Sequence, residues 1–337
     1  MKPAAPRARR LPRARGWRLL LIALVAAGLA PGTFVRTDIG NRTDPAVVTI
    51  TPLADRNGVS GDLALTGVWE LGSAHSWFGG FSALVAGEGR SLVAGTDRGF
   101  LFDLDLASET PRPVERSFRF VGARRGPRAE IVDLESLARD PATGTLWAGF
   151  EKYNLVMRFA PDGTRTRRRL AAMAQWSENS GPETMDRLSD GRFLAIAEEA
   201  EDGSDTAHEA LLYPGDPLGP RKPLAFRFIA PAGYDPVDAT QVPGGPVLIL
   251  LRRVEYALPA RFDTAIAIAD PAAIRSGKPW RARIIQRITG GIFADNFEGI
   301  AFVASAENPA RGSIWVISDD NFSVFQRNLL LRFAWPG

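Results

Sequence analysis

"VDLESLARDPATGTLWAGFEKYNLVMRF", residues 132–159, sets an acid at the start of one apolar run (Glu135) and another at the end of the next (Glu151), with a Pro/Gly-containing turn between them. Two short runs of this kind, joined by turn residues, predict an antiparallel hairpin whose two acids come to the same end. The pattern recurs four times. "SALVAGEGRSLVAGTD" begins at Ser82, "ETMDRLSDGRFLAIAE" at Glu183, "DATQVPGGPVLILLR" at Asp238 and "EGIAFVASAENPARGSIWVISD" at Glu298, so successive starts differ by 53, 48, 55 and 60 residues. One or two further strand-like runs follow most hairpins, such as "FLFDLDL" then "VERSFRFV".

About four strands in every fifty residues is the signature of an all-β fold, the β-propeller, in which each four-stranded blade needs neighbours to bury its faces. Five blades are counted, and six remain open if one is too degenerate to see. A β-sandwich also alternates strands and turns, but it does not explain charges recurring at two fixed places of a repeat. The final repeat supplies only a third strand, "NLLLRF", so "LALTGVWEL" near Leu65 is expected to close the ring against Leu329–Phe333.

Composition narrows the function. Of the 41 Lys and Arg, seven fall within residues 1–30, which contain no acid; without them 34 basic face 38 acidic residues, net −4. The overall charge of +3 therefore belongs to a leader, and nucleic acid is not an expected partner. That leader couples an Arg-rich stretch to "LLLIALVAAGLA", twelve residues where a bilayer span needs about 20, and reads as a signal peptide or an uncleaved N-terminal anchor. Residues 31–62 read as an extended lead-in and 63–337 as the propeller. An exported, periplasmic or extracellular monomer is expected, touching a membrane only through the leader. The absence of cysteine excludes disulfides, thiolate zinc and a thiol nucleophile.

In a propeller the start of the innermost strand and the end of its neighbour meet on one face. The opening set is Ser82, Glu135, Glu183, Asp238 and Glu298; the closing set is Asp97, Glu151, Glu198, Arg252 and Asp319. Converging carboxylates repel one another and require protons or a cation. Oxygen ligands favour Ca²⁺ or Mg²⁺, and Glu135, Glu183, Asp238 and Glu298 are the candidate ligands of a divalent cation, with Ca²⁺ preferred. Asp319, Asp320, Asn321, Glu151 and Glu198 are the candidate catalytic groups. Arg98, Lys152, Arg252 and Arg253 sit at or just after the closing positions, so some are expected to border the same mouth and suit an anionic small molecule, although ordinary ion pairing with the acids is an equal alternative. Arg165, Arg167, Arg168 and Arg169 are expected on a solvated outer edge. His208 is expected in a polar loop, and neither a Gly-x-Ser-x-Gly elbow nor a Gly-rich phosphate loop is present.

"FGGFSAL", "DLESLA…LWAGFE", "GPETMDRLSDGRFLAIAEE", "DATQV" and above all "DNFEGIAF…IWVISDDNFSVFQRNLLLRF" resemble the exported bacterial phytase-like family, also described as esterase-like activity of phytase. The resemblance spans about residues 63–333. It implies a β-propeller and hydrolysis of phosphoesters or esters outside the cytoplasmic membrane. A lactonase-like metal-dependent propeller and a non-catalytic binding propeller are the competing readings.

Overall fold

The hairpin of residues 132–159 shows how one blade forms. Strands Leu134–Arg139 and Leu146–Phe150 pair antiparallel with Leu137 opposite Ala148, and Leu155–Phe159 and Arg165–Arg169 add outside them. The turn between the first two is held by Asp140, whose carboxylate accepts from Ala142 N–H at 3.1 Å, and by Gly144 at φ 74°, a left-handed geometry that glycine adopts without steric cost. Leu146–Phe150 is buried along its whole length, as expected for a strand covered on both faces.

The computed structural model describes residues 17–18, 20–21 and 40–337, apart from 127–128, 178–180, 256–260 and 324. Nearly all of the leader lies outside the described residues; among those described, no helix is long and apolar enough to cross a membrane. Residues Arg42–Gly337 form one compact unit of five blade sheets and a separate two-stranded sheet, Ala123–Gly126 with Ala129–Ile131, among the described residues. Blade 1 is Phe81–Ala86, Ser91–Thr96 and Phe100–Asp105, edged by the short strands Arg112–Pro113 and Arg119–Phe120. Blade 2 is the sheet just described. Blade 3 runs Thr184–Arg187, Phe193–Ala200, Ala207–Tyr213 and Leu224–Ile229, with Pro279–Arg281 added in parallel. Blade 4 comprises Asp235–Gln241, Val247–Glu255, Arg261–Ala269 and Arg283–Ile288, edged by Val59–Gly61. Blade 5 comprises Asn296–Ala304, Gly312–Asp319, Asn328–Trp335 and Ala64–Ser73, edged by Val48–Pro52.

The ring closes as the sequence led us to expect. Leu330 pairs with Trp69 and Phe333 with Leu65, and Trp69 stacks on Trp315 with ring centroids 5.6 Å apart. Within the expected lead-in, residues 48–52 and 59–61 are strands that edge blades 5 and 4.

Packing between blades fills the core. Leu250, Ile266, Phe297, Ile300 and Leu331 form one buried cluster between blades 4 and 5. Each such side chain taken from water contributes about 1.5–3 kcal/mol. Hydrogen bonds also link the inner strands of blades 1 to 5 in turn. Ser82 Oγ donates to Leu134 C=O in blade 2, and Ser136 Oγ to Pro182 C=O beside blade 3. Asp186 accepts from Gln241 N–H of blade 4, and Asp238 accepts from Ile300 N–H of blade 5 at 2.8 Å.

Candidate functional site

A β-bulge repeated at one place builds the site. In blades 1 and 2 the register of the inner strand slips after its first pair, and in blades 4 and 5 after its second, leaving Ser82, Glu135, Val237 and Glu298 unpaired. Glu183 holds the corresponding position just before Thr184 in blade 3. A bulge re-aims the side chain it carries, and here it turns the strand-opening residue towards the mouth. Facing these, the closing positions Asp97, Glu151, Glu198, Arg252 and Asp319 fall at matching steps after the second strands.

One expected ligand is displaced. Asp238 lies one residue past the bulge, at the step of Ser136 and Gly299, and Val237 takes the mouth position in blade 4. Asp238 is fully buried and accepts from Ala239 N–H and Ile300 N–H, both at 2.8 Å, so it serves the inner-strand ring of hydrogen bonds rather than the acidic rim.

Charge dominates the remainder. Burial, then Glu298, Glu151, Asp97 and Asp133, pushes the Glu135 carboxyl well above the usual carboxylate range. Glu183 is raised by burial and then by Glu135, Glu198 and Glu151, and it shares a hydrogen bond with Glu151. Burial carries Glu151 up to about 7, Asp97 up to about 7 and Asp319 up to about 9, the last also through Glu298 and Asp97. Glu298 is raised by burial, against the opposing pull of Arg252.

Arg252 is the internal counter-charge. Its guanidinium bridges Glu198 and Glu298 and donates to Asn296 Oδ1 at 2.8 Å. These contacts occupy it, so the expectation of a substrate-binding Arg252 gives way to its equal alternative, an ion pair with the ring. Arg253 points elsewhere, pairing with Asp263 and lying over the Tyr234 ring at 5.0 Å. Arg98 stacks on Phe322 at 3.1 Å from the centroid, with Asp97, Asp320 and Asp319 as its charged neighbours. Lys152 is exposed and pulls against the raised Asp133 carboxyl.

In "SDDNF" the three polar residues divide their work. Asp319 is buried at the mouth and accepts from Asn321 N–H at 2.6 Å. Asp320 is a clamp: it accepts from Gly80 N–H at 3.0 Å, Phe322 N–H at 3.1 Å and Asn328 Nδ2 at 3.0 Å, tying blade 5 to the entry of blade 1. Asn321 and Phe322 are held at φ 46° and 49°, strained values for residues with a Cβ.

The structure also adds Asp133, which sequence reasoning missed. One carboxylate oxygen each from Asp133, Glu135 and Glu151 lies within 4.8 Å of the others. Asp133 adopts φ 70°, donates its N–H to Asp97 C=O and accepts from Glu151 N–H at 3.1 Å, which locks the backbone of the triad between blades 1 and 2. Its only sequence signal is an aspartate, one of the few residues that tolerate positive φ, two places before a bulge. His208 also differs from expectation. It is fully buried on the strand Ala207–Tyr213 against Phe228, where burial lowers its pKa.

Fold and site together define a five-bladed propeller with a carboxylate-rich mouth. The description Phytase-like, esterase-like activity of phytase, matches residues 76–322, and the chain belongs to this family. No curated protein matches it. Among solved structures it is similar to a streptogramin B lyase (10% identity, covering 87% of this chain and 100% of that chain, TM-score 0.39). It is also similar to the WD40 β-propeller domain of Doa1 (11%, 82% and 100%, TM-score 0.38) and to a chain of a nidogen/laminin complex (9%, 84% and 96%, TM-score 0.41).

Proposed function

We propose that the protein is an exported hydrolase of phosphoesters or esters that uses a divalent cation, Ca²⁺ by preference, at the blade 2 side of the mouth. The grouping of Asp133, Glu135 and Glu151 carries this reading. Oxygen ligands lie about 2.3–2.6 Å from Ca²⁺, so two ligands of one ion are at most about 5 Å apart. Three carboxylate oxygens within 4.8 Å fit that limit. Burial raises the pKa of all three, so without a cation they tend to hold protons, which a bound cation would displace to gain hard oxygen ligands. A cation bound there supplies Lewis acidity and lowers the pKa of a bound water. The family description supports hydrolysis as the reaction.

The remaining roles belong to the chain's own side chains. Arg98 and Lys152 flank the triad and meet an anionic substrate. Asp319, at about 9, keeps its proton at neutral pH and can donate it to a leaving oxygen. Glu183 orients Glu151 through their shared hydrogen bond. Glu198, held by Arg252, stays fixed as an anionic wall.

The test is turnover of p-nitrophenyl phosphate and p-nitrophenyl acetate by chelator-stripped protein, with and without Ca²⁺ or Mg²⁺. Activity restored by cation, lost in Glu135→Gln and Glu151→Gln and kept in Arg165→Gln on the outer edge of blade 2 supports the reading. No turnover with any cation, or turnover indifferent to chelator, overturns it. Recovery of the wild-type chain in the cytoplasmic fraction would remove the exported part.

A further inference from the structure

The outermost strand of blade 2, Arg165–Arg169, reads RTRRR and has no further strand outside it among the described residues, whereas blades 3, 4 and 5 each carry a fifth strand outside their fourth. Basic residues on an edge commonly serve only to discourage pairing with another strand. Here the edge also forms one wall of a cavity. The segment after Tyr213 in blade 3 forms the opposite wall, and the space between them is about 560 Å³. Arg168, Arg169, Arg221 and Lys222 line it, and no Asp or Glu is among its lining residues.

Among the described residues no ion pair neutralises this charge. Arg221 Nη2 donates to Pro214 C=O at 2.6 Å and Arg168 reaches Gly219 C=O at 3.5 Å, both uncharged acceptors. Asp216, the carboxylate of that segment, is committed to Arg158 at 2.5 Å and to Trp147 Nε1 at 3.0 Å. The cavity holds a second, independent feature. Tyr213, 4% exposed, is one of its lining residues, and its buried hydroxyl has no hydrogen-bond partner among the described residues. A buried hydroxyl left unpaired costs about 1–3 kcal/mol, a penalty that an acceptor entering the cavity removes. Burial raises the Tyr213 pKa to about 12, so the hydroxyl remains a donor.

We propose that this cavity is an anion site for a phosphate-class oxyanion, separate from the acidic mouth, with Arg168, Arg169, Arg221 and Lys222 supplying the charge and Tyr213 a hydrogen bond. Guanidinium groups pair with phosphate through two parallel N–H donors, and four cations favour a multiply charged ligand over a single carboxylate. The chain from Pro31 onward carries net negative charge, so the local excess of cations is a property of this face and not of the whole protein. The site does not depend on the hydrolase reading.

Calorimetric titration of inorganic pyrophosphate into the chelator-treated full chain tests it, since the chelator removes any cation bridging at the mouth. One equivalent should bind, weakening as NaCl rises. Arg169→Gln/Lys222→Gln, both exposed positions, should weaken binding tenfold or more with an unchanged circular dichroism spectrum. Tyr213→Phe should weaken it several-fold, and Arg98→Gln should leave it intact. Binding of phosphatidylglycerol vesicles that is lost in the double variant would assign the phosphate to a lipid headgroup; binding of pyrophosphate alone would assign it to a soluble ligand. The proposal falls if neither probe binds, if the double variant binds like the wild type, or if Arg98→Gln abolishes binding.

Discussion

Replacing Asp97 with Asn should stabilise the cation-free protein, by an amount that grows as pH rises from about 4 to about 7 and then stays constant. Asp97 is half-buried, has one carboxylate oxygen without a partner and sits among like charges, which together with burial raise it from 3.8 to about 7. A carboxyl whose folded pKa lies above its unfolded value binds more protons in the native state between the two. Its stabilising share is therefore complete below about pH 4 and is lost as pH rises through about 7. At about 1.36 kcal/mol per pH unit the full loss is about 4 kcal/mol, and solvent at a half-exposed rim trims it to about 2–4 kcal/mol. Asn cannot ionise and escapes that loss. Urea unfolding of chelator-treated wild type and Asp97→Asn should give equal stabilities at pH 4 and diverge by about 2–4 kcal/mol at pH 8, because the subtraction cancels every other titrating group. A difference that does not change with pH would show that Asp97 is not held in a low-dielectric acidic cluster, and the electrostatic account of the mouth would go with it.

Three further outcomes follow from the same geometry. Ca²⁺ added to stripped protein should raise its stability by about 2.7 kcal/mol at a hundred times the Kd, and Glu151→Gln should abolish most of that gain in a thermal melt. Arg252→Met should cost about 2–4 kcal/mol in urea, because it leaves Glu198 and Glu298 facing each other unpaired; a loss below about 1 kcal/mol would mean that the pair is solvated. Truncation through Pro52 should leave a cooperative, monomeric protein, whereas truncation through Ser73 removes the closing strand, bares the edge of Asn328–Trp335 and should aggregate in size-exclusion chromatography.

The blade count and closure were legible because a repeat displays its own period. The closing residues Asp97, Glu151, Glu198, Arg252 and Asp319 also fall at matching steps, since counting along an unbroken second strand carries no ambiguity. Failure came where the backbone stops being regular. A bulge inserts one residue, and in a strand a one-residue slip exchanges the faces, so Asp238 looked like the partner of Glu298 while Val237 occupied that place. Asp133 escaped notice because its role arises from a positive φ, which no side-chain pattern reports. His208 follows an acidic, turn-rich stretch, but the register of its strand slips against the Ile196–Ala200 segment, and that irregular pairing encloses the ring.

Arg252 explains why the proposed cation site lies off the channel axis. A symmetric ring of five acids would place a cation at its centre. Blade 4 instead supplies a guanidinium, which with Asn296 holds Glu198 and Glu298 and so settles the charge along the blade 3 to blade 5 side. The unneutralised carboxylates Asp97, Asp133, Glu135 and Glu151 then lie together where blades 1 and 2 meet, joined by backbone hydrogen bonds from Asp133 to Asp97 and from Glu151 to Asp133. The basic side chains that follow those closing residues, Arg98 and Lys152, border the same corner. One substitution of sign in the repeat thus converts a ring into a one-sided cluster, where carboxylates and two basic side chains stand side by side, as the proposed cation and anionic substrate would require.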